Sequence, residues 1–132
     1  MTARIAVLAS GSGTNLQAIL DHVESLGSAA PGRVVLVVSD RERAGALERA
    51  RRARIEAVHL PWPDGSSTLA GLLAEHRINV IALAGFLRLV PPDVTRAFPG
   101  RIVNVHPALL PAPSKRRMHW LSAPRSWRAV TS

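Results

Sequence analysis

The sequence predicts an α/β fold built on an open, mostly parallel sheet with helices on both faces. Short apolar runs rich in Val, Ile and Leu alternate with segments of helical pattern along the first 106 residues. Nearly continuous apolar runs are typical of parallel strands that are buried on both faces. Short connectors favour the same fold class, in which ligands bind at the carboxyl ends of the strands. The runs that predict strands are residues 4–9, 33–38, 55–59, 80–84 and 102–105.

Four segments between and after these runs predict helices. In the first, apolar side chains recur at the i, i+3, i+4 and i+7 spacing of one helix face, and Gly27 provides a stop signal. These apolar side chains are Leu16, Ile19, Leu20 and Val23. The other predicted helices are residues 44–53, residues 68–76 and a short helix that Pro91 and Pro92 open with Asp93.

The composition indicates one folded domain. A chain of 132 residues, 47% of them hydrophobic, is long enough to bury a core. It contains no cysteine, which excludes disulfides and thiolate metal sites. The apolar run at the start is too short for a signal-peptide core, and no run reaches the length of a membrane span. We therefore expect a cytoplasmic protein with no membrane partner and no bound metal.

The formal net charge of +8 is distributed unevenly. Residues 113–132 contain five basic and no acidic side chains, whereas the first 112 residues have a net charge of +3. The last segment also lacks a helix or strand period. We therefore divide the chain into an α/β domain, residues 1–112, and a basic tail, residues 113–132, for which we expect little order. A tail with Trp120 and Trp127 would also suit nucleic-acid binding, but we favour a solvated tail and do not expect a nucleic-acid partner.

A glycine-rich turn follows the first predicted strand directly. Gly11 and Gly13 would let backbone N–H groups approach an anion at the start of the first helix. Additional donors are available from the side chains of Ser12, Thr14 and Asn15. The turn lacks the third glycine of the dinucleotide fingerprint and the lysine of a Walker loop, so it suits a single terminal phosphate. The same local pattern equally fits a tight strand-to-helix turn in which Asn15 is the helix cap.

An acidic residue, Asp40, follows the second predicted strand, where a dinucleotide-binding fold places an acid that binds a ribose hydroxyl. Because the third glycine of that fingerprint is missing, we interpret Asp40 as a capping or turn residue.

A second segment of interest leaves the fourth predicted strand through Gly85. It consists of Leu87, Arg88, Leu89 and Val90. Such a strip could line a pocket for a flat ring, with hydrogen bonds from its backbone. For the aliphatic side chains alone, core packing with Arg88 reaching to solvent is the favoured interpretation.

The third segment, residues 104–111, reads NVHPALLP and contains an amide and an imidazole two positions apart. Asn104 and His106 should project to the same side of an extended chain, and Pro107 favours that extended conformation at His106. In acyl transfer an amide can bind the carbonyl oxygen, while an imidazole stabilises the oxyanion or moves a proton. Taken alone, a histidine at a strand end is more often structural.

Taken together, the segments SGSGTNLQ, LAGFLRLV and NVHPALLP resemble those of phosphoribosylglycinamide formyltransferase, a folate-dependent family of purine biosynthesis. The resemblance covers roughly residues 3–112 and implies a Rossmann-like formyltransferase fold in truncated form. The third segment alone would also suit a formyltransferase that acts on methionyl-tRNA or a formyltetrahydrofolate deformylase. The early glycine turn favours a ribonucleotide substrate over both.

The resemblance implies a role for each segment. Formyl tetrahydrofolate would be the co-substrate and glycinamide ribonucleotide the acceptor, with no metal required. The substrate phosphate would be bound by Gly13, Thr14 and Asn15, which lie in the turn that begins with Gly11 and Ser12. Leu87, Arg88, Leu89 and Val90 would contact the folate. Asn104 would bind the formyl oxygen at the folate site, and His106 would be the catalytic acid.

The sequence also departs from the family pattern. No Asp or Glu follows Asp93, so the family's aspartate that orients the histidine has no counterpart in the printed sequence. The segment after NVHPALLP is basic and without a pattern, which suggests a shifted reading frame. We therefore expect impaired activity and self-association through a sheet edge that lacks its usual neighbour. A non-catalytic module that binds a nucleotide or phosphate is the alternative.

Overall fold

A computed structural model describes residues 2–105 and 128–129. Within the described residues the sheet has six strands in the order β3-β2-β1-β4-β5-β6, and β1 to β5 are parallel to one another. The strands are β1 Ala3–Leu8, β2 Gly32–Ser39, β3 Glu56–His59, β4 Val80–Leu83, β5 Ile102–Asn104 and β6 Arg128–Ala129. The predicted fold class is confirmed, and all five predicted strands are present.

Four α-helices lie where the sequence predicts them. They are α1 Thr14–Leu26, α2 Gly45–Arg52, α3 Leu69–Glu75 and α4 Pro92–Ala97. A short 3-10 segment, Asp64–Thr68, leads into α3. Within the part of the chain that the structure describes, no helix has both the length and the apolar character needed to cross a membrane.

The sheet separates two apolar cores because successive side chains of a strand point to opposite faces. On one face, Ile5 and Val7 of β1 pack with α1 and α2. On the other face, Ala6 and Leu8 pack with α3 and α4. Helices on both faces explain why β1 is apolar at every position from Ile5 to Leu8.

The outer edge of β5 is paired with a strand from the tail. Val103 lies opposite Ala129 and Asn104 opposite Arg128 in an antiparallel pair. The sequence showed no strand pattern there. The rest of the tail, residues 113–127 and 130–132, lies outside the described residues, so the division at residue 112 stays a prediction. Self-association through a sheet edge also stays a prediction.

A histidine is buried in α1 without a hydrogen-bond partner. His22 is 2% exposed, and neither ring nitrogen has a partner among the described residues. Burial lowers the pKa of His22 below its ordinary value because the cationic form loses its hydration. Folding therefore opposes the protonation of this imidazole.

Replacing this histidine should weaken the acid sensitivity of the fold. Below about pH 6.5 the unfolded chain protonates His22 more readily than the folded chain, so stability falls with pH by up to about 1.4 kcal/mol per pH unit. We expect His22→Leu to lack this loss, as measured by urea unfolding at pH 7.5 and 5.5. His59→Gln, at the end of β3, is the control and should keep the wild-type dependence. Equal losses in His22→Leu and the wild type would contradict the assignment.

Candidate functional site

The strand order creates a crevice between the carboxyl ends of β1 and β4. From β1 the chain moves to β2 and β3 on one side, then returns to the other side of β1 at β4. Connections after β1 and β4 therefore leave in opposite directions, which is where open α/β sheets bind ligands. The glycine turn follows β1 here, and Gly85 follows β4.

The glycine turn lines a small cavity in this crevice. The cavity has a volume of about 160 Å³, and Ala84 and Gly85 form its other wall. The turn contributes Gly11, Ser12, Gly13, Thr14 and Asn15. All five residues predicted to bind phosphate therefore line one cavity, beside the amino end of α1. That helix has no acidic side chain in its first turn, so its partial positive charge is not neutralised locally.

The glycine at the end of the turn, not Asn15, begins the first helix. Gly13 is the N-cap residue with φ +85°, and no side chain caps α1. The interpretation of Asn15 as the cap is therefore wrong. The side-chain Nδ2 of Asn15 instead lies near Gly85, since a Cβ added at Gly85 would be 3.4 Å from this atom. This placement leaves the Asn15 side chain at the crevice.

The strip after β4 lines a second, larger cavity. It is about 620 Å³ in volume and is lined by Leu87, Arg88, Leu89 and Val90, with Trp62, Pro63, Ser66, Pro91 and Pro92. Leu87 is 68% exposed and Leu89 is 89% exposed. Core packing is therefore wrong for these two leucines, whereas Val90 does pack at the edge of the second core. Exposed leucines on a concave wall suit an apolar ring system.

A tryptophan from the connector after β3 supports this strip. The Trp62 Nε1–H donates a hydrogen bond to the Leu89 carbonyl at 3.2 Å. The indole also meets Phe86 edge-on, with ring centroids 5.1 Å apart. Trp62 therefore links the connector to the strip and forms part of the same cavity wall.

A buried carboxylate fixes the other side of the strip. Arg88 Nε donates to Asp40 Oδ2 at 2.9 Å, and the Asp40 side chain is fully buried. The Ser10 hydroxyl accepts the Leu87 N–H at 2.9 Å, and Ser10 also helps to lower the pKa of the same carboxylate. Asp40 is therefore not a helix cap, since Ala44 is the N-cap of α2. Arg88 likewise does not simply reach to solvent.

The surroundings of Asp40 keep it ionised. Burial by itself would raise the pKa of this carboxyl, but hydrogen bonds from Ser10, Arg88 and the Asp40 backbone N–H, with the positive charge of Arg88, outweigh it. The pKa of Asp40 consequently lies below its ordinary value. A charged carboxylate thus anchors Arg88, while Ser10 holds the backbone of Leu87.

The third predicted segment reaches the same edge of the sheet. Leu8 of β1 pairs with Leu83 of β4, which in turn pairs with Asn104 of β5. Asn104 is exposed and lies two strands from the glycine turn, or about 10 Å at the usual strand spacing. His106, the other predicted catalytic residue, lies outside the described residues. Asn104 therefore shares the carboxyl edge of the sheet with both cavities.

The sequence analysis did not predict the role of Trp62 or the ion pair between Asp40 and Arg88. It also did not predict the contact of Arg49, whose Nε donates a hydrogen bond to the Ser12 carbonyl at 2.9 Å. A signal existed for the ion pair, because an acid and a base each follow a strand that flanks β1. Arg49 lies three positions after Ala46, and both lie on the side of α2 that meets the glycine turn.

The described residues contain no cluster of three His, Asp or Glu side chains that could hold a metal.

Comparisons with known proteins relate this chain to formyltransferases. Residues 3–114 match the family model described as Formyl transferase. A solved structure of glycinamide ribonucleotide transformylase 1 from Symbiobacterium toebii is 45% identical with a TM-score of 0.72, and the match covers 80% of this chain and 51% of that one. Phosphoribosylglycinamide formyltransferase, chloroplastic, from Arabidopsis thaliana is 37% identical over 83% of this chain and 39% of its own.

A much longer relative shows the same similarity. The Trifunctional purine biosynthetic protein adenosine-3 of Chironomus tentans is 35% identical over 82% of this chain and 8% of its own length. The chain therefore spans only part of each relative, about half of the Symbiobacterium structure and less of the other two.

Proposed function

The chain belongs to the formyl transferase family, and from this premise we propose that it carries the substrate sites of a phosphoribosylglycinamide formyltransferase of purine biosynthesis. The reaction would move a formyl group from formyl tetrahydrofolate to the amine of glycinamide ribonucleotide. One observation carries the proposal: both cavities and Asn104 lie along the same carboxyl edge of the sheet. A cytoplasmic location stays a prediction.

The ribonucleotide is proposed to bind with its phosphate in the smaller cavity. The backbone N–H groups of the turn around Gly11 and Gly13 would provide hydrogen-bond donors. The amino end of α1 adds partial positive charge, and both features suit a phosphate. A volume of about 160 Å³ accommodates one phosphate and its ester oxygen more readily than a nucleoside triphosphate. The glycinamide end would then extend along the crevice toward β5.

The folate is proposed to occupy the larger cavity. The exposed side chains of Leu87 and Leu89 would cover the face of a flat ring, and backbone groups of residues 87–90 would hydrogen-bond its edge. Because Arg88 is held by Asp40, its role is to fix the strip rather than to move toward the ligand. Trp62 supports the same wall through Leu89.

The formyl group would be transferred between the two cavities, next to Asn104. The amine nitrogen attacks the formyl carbon, which places negative charge on the formyl oxygen. The Asn104 amide would donate a hydrogen bond to that oxygen, and protonated His106 would stabilise the same charge. Breaking the bond to the folate nitrogen completes the transfer, with one proton lost by the amine and one gained by the folate nitrogen.

Separate and combined titrations test this proposal. We expect the 132-residue chain to bind glycinamide ribonucleotide and a folate analogue at independent sites in calorimetry, with little or no turnover because the orienting aspartate has no counterpart. The unphosphorylated glycinamide riboside is the matched control and should bind at least about tenfold more weakly, as expected when charge-assisted hydrogen bonds are lost. Equal affinity for riboside and ribonucleotide would contradict the phosphate site.

Measurement of product separates the catalytic from the binding part of the proposal. Binding of the ribonucleotide alone, without binding of the folate analogue, would favour a non-catalytic phosphate-binding module. Measurable formyl transfer that is abolished by His106→Ala would contradict the expectation of little turnover and would support the role of His106.

A further inference from the structure

We propose that Arg49 is a positioning residue of the phosphate site, because it turns the peptide unit between Ser12 and Gly13 so that its N–H group faces the cavity. The inference rests on the proposed function of that turn. It adds a residue from a different helix, α2, that does not itself line the phosphate cavity.

Two carbonyl groups of the turn are held on the side of α2. The Ala46 N–H donates to the Gly11 carbonyl at 3.2 Å, and Arg49 Nε donates to the Ser12 carbonyl at 2.9 Å. A trans peptide unit is planar, and its C=O and N–H point in opposite directions. The N–H groups of Ser12 and Gly13 must therefore point away from α2.

The lining of the cavity places it on the side of the turn away from α2, which is the side to which we infer that these N–H groups point. Its walls are the turn itself with Ala84 and Gly85, and α2 contributes nothing to them. Two successive N–H groups directed into one cavity form an anion-binding nest. Arg49 controls one of the two peptide units, and the backbone of Ala46 controls the other.

Arg49 is held in place by further contacts. Its Nη1 lies 3.4 Å from Gln17 Oε1 of α1. Its aliphatic stem packs against the turn so closely that a Cβ added at Gly13 would lie 2.9 Å from the Arg49 Cδ. Arg49 is half-buried, whereas the neighbouring Arg51 and Arg52 are exposed and pair with Glu48. The guanidinium also adds a positive charge behind the turn, which favours a dianionic phosphate ester.

The charge and the hydrogen bond can be separated by substitution. Arg49→Met should weaken glycinamide ribonucleotide binding about tenfold or more, because both the charge and the donor to Ser12 are lost. Arg49→Lys keeps the charge without the planar guanidinium and should be intermediate. Arg52→Met, one position beyond Arg51 on the same helix, removes the same charge from an exposed site and should change the affinity by less than about threefold. The affinity for a folate analogue should stay unchanged in all three variants.

Equal affinities for the ribonucleotide in Arg49→Met and Arg52→Met would overturn the proposal. If the wild-type chain does not bind the ribonucleotide, that result refutes the phosphate site and leaves the role of Arg49 in the turn to be tested separately. A second measurement tests that role without any ligand. In nuclear magnetic resonance spectra, the amide signals of Ser12 and Gly13 should shift in Arg49→Met and stay in place in Arg52→Met. Unshifted amides in Arg49→Met would show that Arg49 does not position the turn.

Discussion

Replacing Gly13 with alanine is expected to abolish ribonucleotide binding and to lower the free energy of unfolding by about 2–5 kcal/mol. Gly13 has φ +85°, a region in which an alanine is strained. A Cβ there would also lie 2.6 Å from the Ala46 Cα and 2.8 Å from its nitrogen. These are backbone atoms of α2 and cannot move aside alone, so the turn or the helix must shift.

The loss of binding follows from the same shift. The turn is docked on α2 through hydrogen bonds to the Gly11 and Ser12 carbonyls. Moving the turn away from α2 would rotate the N–H groups that are proposed to bind phosphate. Urea unfolding and calorimetry with glycinamide ribonucleotide measure the two effects on the same variant.

Gly100→Ala is the matched control for the strain of positive φ. Gly100 has φ +69°, but an added Cβ there would meet no atom within 4 Å. In this variant the free energy of unfolding should fall only by the strain of an alanine at positive φ, about 1–2 kcal/mol. The variant should bind the ribonucleotide as the wild type does. A Gly13→Ala protein no less stable than Gly100→Ala would contradict the tight docking of the turn on α2.

Replacing Asp40 with asparagine is expected to weaken binding of a folate analogue about tenfold and to lower the free energy of unfolding by about 1–3 kcal/mol at pH 7. The Asp40 carboxylate is fully buried and accepts the Arg88 Nε–H at 2.9 Å. An asparagine keeps the volume but removes the charge that holds Arg88. Since Arg88 is 47% exposed, water can hydrate the released guanidinium, which keeps the loss of stability modest.

The effect on binding follows from the position of the strip. Arg88 is held by Asp40, and the next residue toward the strand, Leu87, is held through its backbone N–H by Ser10. Without these ties the exposed Leu87 and Leu89 would lose their fixed geometry, and a flat ligand would have to order them on binding. The affinity for glycinamide ribonucleotide should remain near that of the wild type, because the glycine turn is not altered.

The stability difference between the wild type and Asp40→Asn should depend on pH in a defined direction. The pKa of Asp40 in the folded protein lies below its ordinary value of 3.8. The ionised Asp40 therefore contributes to the free energy of unfolding at pH values above this ordinary pKa. The contribution is lost as the pH falls through the lower pKa of the folded protein. Urea unfolding of both proteins between pH 7 and pH 2.5 should show the two stabilities converging only in the acid range.

Glu42→Gln provides the control for Asp40→Asn. It removes one negative charge two positions away, from an exposed side chain. We expect neither folate binding nor stability to change beyond about 0.5 kcal/mol. Equal effects of the two substitutions on folate binding would show that general charge, rather than the Asp40–Arg88 contact, supports the strip.

The sequence alone determined the succession of strands and helices along the chain and the position of the glycine turn. Each of these depends on residues close together in the chain: continuous apolar runs for buried strands, the spacing of Leu16 and Ile19 for α1, and two glycines for the turn. The alternative in which Asn15 is the helix cap was wrong even at this level. The positive φ of Gly13 begins the helix earlier than a polar-cap rule predicts.

The tertiary structure decided which distant side chains meet. Asp40 and Arg88 are 48 positions apart, Ser12 and Arg49 are 37 apart, and Trp62 and Leu89 are 27 apart. Local patterns carry no information on strand order, and these partners meet only because β2 and β4 flank β1 while α2 packs on the glycine turn. The segments that we propose to bind the substrates can thus be recognised in the sequence, whereas the residues that hold them in place are set by the packing of the folded chain.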